Sequence, residues 1–166
     1  MRFITKKTSE TGKKFADFEK RCEEANKASL DFIKQFGAER FRPGWGCLAG
    51  GITSIEMGEN PDPKIWRKSF KDTQGEYYPK GNIKAGRELI KQIEALPIVT
   101  FKDLNDCVGY YGGLFSHMGF NPTNDQYYGF FMDDKKDFTP PSDCEEITMT
   151  KWNELFPEKE SSKKAS

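Results

Sequence analysis

The chain has 166 residues, the size of one domain and enough to bury a sizeable core. Lys and Arg number 26, as do Asp and Glu, so the formal net charge is zero, which argues against a broad electrostatic grip on long nucleic acid. No apolar run approaches the ~18–20 residues of a membrane span, and Met1 to Lys7 holds no signal-peptide core, so no membrane association is expected and the cytoplasm is the expected location.

Aromatic residues make up 14% of the chain, a richness that suits a compact α+β core or a stacking site. Cys22, Cys47, Cys107 and Cys144 are scattered, form no C-x-x-C pair, and share the chain with a single histidine, His117. That pattern predicts free thiols in a reducing compartment, with no metal site and no cofactor.

In chain order, Phe3 to Thr5 reads as a short strand. From Thr11 to Phe36, apolar residues (Phe15, Phe18, Cys22, Ala25, Ala28, Phe32, Ile33 and Phe36) recur at three- and four-residue spacing. This predicts a long helix with one buried face, stopped by Gly37. Ala49 to Met57 reads as a strand with a bulge, and two strands are expected to join near Cys47. Asn60 to Pro63 is a turn, Lys64 to Phe70 a short helix, and Asp72 to Gly81 a loop. Ile83, Leu89, Ile90 and Ile93 mark the buried face of a second helix, Ile83 to Ala95, which Leu96-Pro97 ends. Thr100 is expected to cap a short helix, Phe101 to Val108. Gly109 to Gly119 and Gln126 to Met132 read as an antiparallel pair connected through Asn121 to Asp125. Phe138 to Pro141 is an extended loop, Ile147 lies in a short strand, and Thr150 is expected to cap a last turn, Lys151 to Phe156. The sum is a single α+β domain over residues 1–157, a small mainly antiparallel sheet packed against the two helices. Residues 158–166 read as a charged, Ser-rich, disordered tail.

The segment Tyr77 to Arg87 carries the strongest functional signal. Pro79 and Gly81 break the chain, and Asn82 is a good N-cap for the helix that follows. A helix start carries partial positive charge and normally recruits acids. Here it offers Lys80, Lys84 and Arg87, and the first acid is Glu88. Cations on that pole cost a few tenths of a kcal/mol each unless an anion sits among them. Free N–H groups of the first turn add to the pull on a phosphate, and Gly81 and Gly86 allow close approach of backbone to ligand. Trp66, Phe70, Tyr77 and Tyr78 lie nearby in sequence, and an aromatic ring stacks on a base. Trp66 and Phe70, four residues apart, equally suit core packing, whereas Tyr77 and Tyr78 sit in a polar loop. Acids brought in by the fold, such as Asp62, Asp72 or Glu76, would turn the same cations into a surface salt-bridge cluster.

Catalytic signals are thin. Ser116 and His117 are adjacent, so on a strand they point to opposite faces and make no dyad. Asp133, Asp134 and Asp137 lie in a polar turn with Lys135 and Lys136, and these acids, like Glu145 and Glu146, read as hydrated surface carboxylates. Neither Gly50-Gly51 nor Gly109 to Gly113 matches a phosphate loop.

Ile65 to Lys68, Tyr77 to Pro97 and Phe138 to Trp152 carry, in order, the Trp66 helix, Tyr78-Pro79-Lys80 with Asn82, Lys84 and Gly86, Leu96-Pro97, and Pro140-Pro141 through Glu146-Ile147. With the Gly50-Gly51-Ile52 strand before them, these pieces resemble a family of small uncharacterised phage and prophage proteins over about two thirds of the chain. The resemblance implies a viral or mobile-element origin and a role in takeover or counter-defence, within a host cytoplasm.

The sequence therefore points to non-catalytic binding of a small phosphorylated ligand, a nucleotide signal held by Lys80, Asn82, Lys84, Arg87, Tyr77, Tyr78 and Trp66. A homodimer would suit such a pocket. The rival readings are a module that inhibits a host protein through an aromatic surface, and a small nucleotide hydrolase using His117.

Overall fold

The computed structural model describes residues 1–35, 38–57, 88, 91–110, 118–132 and 138–158. The expected Gly37 stop, the turn, helix and loop between residues 60 and 81, the start of the second helix, His117 and the tail from residue 159 lie outside them. The fold class is α+β, and the chain forms two compact units, Met1–Phe18 with Lys102–Ser166, and Glu19–Phe101. No described helix is long and apolar enough to cross a membrane.

In the first unit, β1 (Arg2–Lys6) pairs antiparallel with two strands formed late in the chain. These are β7 (Tyr127–Met132) on one side and β8 (Cys144–Ile147) on the other. β6 (Met118–Asn121) completes a four-stranded sheet of order β6-β7-β1-β8. Alternation along each strand gives the sheet two different faces. Phe3, Phe130 and Phe120 stand in one cross-strand row on the inner face. There they meet helix α1 (Glu10–Lys34), whose Phe15 ring stacks on Phe120 at 4.8 Å and tilts against Phe130 at 5.6 Å. Phe3, Phe15 and Phe130 are fully buried, and each such side chain contributes about 1.5–3 kcal/mol of hydrophobic stabilisation. The outer face is covered in part by the short helix α3 (Met149–Leu155), which sets Trp152 and Phe156 on Ile4. Gly129 makes this possible, because a Cβ there would meet the Phe156 ring at 2.6 Å and the Trp152 ring at 2.7 Å.

The start of α1 is held from two directions. Ser9 Oγ accepts the Gly12 N–H at 2.9 Å, the hydrogen bond of an N-cap serine. Asp143, just before β8, accepts the Thr11 N–H at 2.9 Å and the Thr11 hydroxyl at 2.6 Å. Its carbonyl also accepts the Thr5 hydroxyl at 3.0 Å. One residue thus ties the end of β1, the start of α1 and the start of β8. Gly12 lets the first turn of α1 lie against the Lys6-Lys7 backbone, where any Cβ would collide.

In the second unit, β2 (Ala38–Pro43) pairs antiparallel with β4 (Ile52–Met57), and the register shifts twice along the pair. β3 (Cys47–Ala49) pairs instead with β5 (Val99–Thr100). Two strands, β2 and β4, join through the segment around Cys47 as expected, but Cys47 sits in a strand of its own, and β4 begins at Ile52, not Ala49. Gly50 and Gly51 have φ of +70° and +69°, left-handed values that interrupt any strand. The Gly50 N–H is taken up by Asn26 Oδ1 of α1 at 3.0 Å. Ala25, Ser29, Phe32, Ile33, Ala49, Ile52, Ile93 and Val99 are buried in this unit. Residue 88 and residues 91–94 are helical, with Ile93 buried, and this helix ends before Pro97.

Two helix ends refine the sequence reading. Helix α2 (Phe101–Asp106) closes with Gly109 at φ +65° and a Tyr110 N–H bond to Asn105 O at 3.1 Å. That is a Schellman cap, and it carries the helical path to Val108 as expected, with a tightened last turn. The final helix is capped by Thr148, not Thr150, since the Thr148 hydroxyl accepts the Lys151 N–H at 3.2 Å.

Partial burial pushes the Asp143 carboxyl up, but the hydrogen bonds from the Thr11 hydroxyl and N–H outweigh it, so its pKa lies below the ordinary value. A lowered carboxylate pKa contributes stability that is present above the unfolded value of ~3.9 and lost as pH falls through the folded one. Asp143→Ala is predicted to cost about 0.5–2 kcal/mol at neutral pH, as loss of a helix cap does. It should also flatten the acid limb of a stability-versus-pH curve measured by urea unfolding.

Candidate functional site

The sequence-predicted ligand residues Trp66, Tyr77, Tyr78, Lys80, Asn82, Lys84 and Arg87 all lie outside the described residues. So do His117 and the acids Asp133, Asp134 and Asp137. What is described of that neighbourhood is Glu88, helical and exposed, and the helical residues 91–94 that follow.

Among the described residues, two clefts open on the outer face of the first unit's sheet, one on each side of α3. The first has a volume of about 370 Å³. Its floor is apolar: Ile4, Ile147, Leu155 and Tyr127, all packed on the Trp152–Phe156 cluster. Its rim is charged and polar: Glu145, Glu146, Thr148 and Lys151. The floor follows from the strand register, because Ile4 stands opposite Glu145 and Ile147 is two residues further along β8. Lys151 leans toward Glu154 at 3.8 Å, and neither Glu145 nor Glu146 forms an ion pair among the described residues. The second cleft, about 440 Å³, is lined by Asn121, Thr123, Asn153 and Glu158 over the rings of Phe131, Trp152 and Phe156. Asn121 is already engaged, accepting the Thr123 N–H and hydroxyl at 3.0 and 2.7 Å.

On the inner face of β8, opposite Thr5, lies Cys144, whose thiol burial pushes up to about 11; hydrogen bonding with Thr11 works against this and the Asp143 charge works with it. Such a thiol stays protonated at neutral pH and is a poor nucleophile. No group of three or more His, Cys, Asp or Glu gathers to hold a metal among the described residues. The four cysteines are free thiols.

A second feature was not singled out in the sequence. Trp45 is 85% exposed, an uncommon state for so large an apolar side chain. Its neighbours Ile98 and Phe101 are also exposed, at 44% and 40%. The sequence shows only a Gly-rich aromatic stretch there, and no periodicity tells that the ring points outward.

No family model matches the chain, and neither a curated protein nor a solved structure matches it.

The raised Cys144 value gives a direct check. At pH 7.5 its thiolate fraction is predicted to be about 300-fold below that of an ordinary thiol of pKa ~8.5, so that its alkylation by iodoacetamide, followed by mass spectrometry, is correspondingly slow. The rate should keep rising with pH beyond 10.

Proposed function

We propose that this chain binds a small phosphorylated ligand, a nucleotide signal, without turning it over, and so acts as a counter-defence sponge of phage or prophage origin. The observation that carries the reading is the run of cations Lys80, Lys84 and Arg87 at a helix start that holds no acid before Glu88. Glu88 is helical and exposed, and Ile93 among the helical residues 91–94 is buried, which agrees with the helix this reading needs. In this reading the three cations neutralise phosphate, Asn82 caps the turn, and Tyr77 or Tyr78 stacks on the base, with Trp66 beside them. A sponge needs affinity and no turnover. The phage or prophage setting rests on the sequence resemblance.

Thermal unfolding with mono-, di- and cyclic nucleotides tests the proposal. A ligand that binds only the native state stabilises it by about 2.7 kcal/mol at a hundredfold excess over its dissociation constant. At least one nucleotide is predicted to raise the melting temperature in a concentration-dependent way, and Lys84→Glu with Arg87→Glu should erase the rise. No shift with any nucleotide would overturn the reading. It would favour the rival, a module that inhibits a host protein.

A further inference from the structure

We propose that the outer edge of β8 receives an extended segment of a partner protein as a further strand, with a basic residue of that segment opposite Glu146 and apolar residues on either side of it facing the cleft beside α3.

The backbone supplies the template. Met1 and Met132 exchange two hydrogen bonds, the terminal ammonium on Met132 O at 3.0 Å and the Met132 N–H on Met1 O at 3.1 Å. The Lys7 N–H bonds Gln126 O at 3.0 Å. Bonding at positions 1 and 7 fixes the alternation: odd-numbered residues of β1 bond toward β7, and Arg2 and Ile4 bond toward β8. Their partners are Ile147 and Glu145, whose backbone groups are thereby used in pairing with β1. Glu146, between them, turns both its N–H and its C=O away from the sheet. Among the described residues no strand takes them, because β8 ends the order β6-β7-β1-β8. The positions two residues to either side are half occupied. The Cys144 N–H bonds Pro141 O at 3.0 Å, and Thr148 O accepts the Trp152 N–H at 2.9 Å. What remains is a short template centred on Glu146, with Cys144 O and the Thr148 N–H as its outer members.

The side chains select the strand that fits. On the outer face, Glu145 and Ile147 border the cleft of about 370 Å³, whose floor includes Ile4 and Leu155 and whose rim carries Lys151. That face therefore has a cation of its own. Glu146 stands on the other face, opposite Phe3, exposed and without an ion pair among the described residues. A basic side chain directly across from Glu146 complements it, and alternation then sends both neighbours of that residue to the outer face, opposite Glu145 and Ile147. There the apolar floor suits aliphatic side chains. A second copy of β8 fits badly. The two antiparallel registers centred inside the strand set Glu145 against Glu145 or Glu146 against Glu146, and like charges directly opposite are destabilising. The occupant is thus an extended apolar-basic-apolar segment, bound by strand addition. The surface belongs to the first unit and uses none of residues 77–87, so it stands apart from the ligand reading.

The probe is a synthetic peptide of alternating Lys and Val, about the length of one strand, titrated into the full chain by calorimetry and by NMR amide exchange. It should bind saturably and slow exchange of the Glu146 and Thr148 amides by about tenfold or more, while the Glu145 and Ile147 amides change little. The same peptide N-methylated at its lysines keeps every charge but loses the N–H groups that would reach Glu146. It should bind about tenfold more weakly or worse, as should a Glu-Val peptide. Glu146→Lys should reverse the preference between the Lys-Val and Glu-Val peptides. Glu146→Pro removes an outward N–H and no bond of the sheet, and should abolish binding. The proposal is overturned if the Lys-Val peptide does not bind, or if neither lysine N-methylation nor Glu146→Lys weakens it. A mass above 19.1 kDa for the chain alone that Glu146→Pro lowers would place a second copy at this edge, and would overturn it too.

Discussion

One carboxylate sets the parts of the first unit in register. Asp143 receives both the N–H and the hydroxyl of Thr11, so a negative charge sits where the first turn of α1 is most positive. The same residue's carbonyl takes the Thr5 hydroxyl, which fixes β1 against the start of β8. With its N-terminus held there, and with Gly12 letting it lie close to the end of β1, α1 directs Phe15 and Phe18 onto the inner face of the sheet. Among the described residues β8 is an edge strand paired with β1 alone, so the Asp143 clamp also fixes the wall of the cleft that Glu145 and Ile147 help form. Local hydrogen bonding is thereby connected to packing, and packing to the shape of the surface.

The second unit solves a different problem. Its strands are short, and the chain must turn sharply between β2 and β4 while still pairing β3 with β5. Left-handed glycines at 46, 50 and 51 supply the bends, and Asn26 satisfies the Gly50 N–H that no strand can use. The by-product is a rigid corner that carries Trp45 into solvent. Burying that ring elsewhere would be worth about 1.5–3 kcal/mol or more, so the turn geometry, and not hydrophobic gain, sets where it stands.

Much of the architecture was legible because its causes are local. The spacing of Phe15, Phe18, Ala25, Phe32 and Ile33 announces α1, and all five are buried. Leu96-Pro97 ends the helix before it, and Gly109 marks the cap after α2. Thr148 was missed in favour of Thr150 because both are threonines two residues apart, and only the backbone geometry decides which one caps. The start of β4 is harder to read, because Gly50 and Gly51 look like a bulge within one strand and act as a break between two. Asp143 was invisible as a cap, since it lies 132 positions from Thr11 and no periodicity links them. The cleft was equally hidden: Glu145 looks like any surface acid until the register places it opposite Ile4, while Glu146 stands opposite Phe3 on the other face. The basic turn of Lys80, Lys84 and Arg87 stands on sequence alone, because the fold around it lies outside the described residues.

The most direct test of this account is a double-mutant cycle between Thr11→Val and Asp143→Asn, measured by urea unfolding at neutral pH. The two residues act as one hydrogen-bonded clamp, so the account predicts a coupling of about 0.5–3 kcal/mol. Additivity within about 0.3 kcal/mol would show that the two contribute independently, and would contradict the claim that Asp143 holds the start of α1.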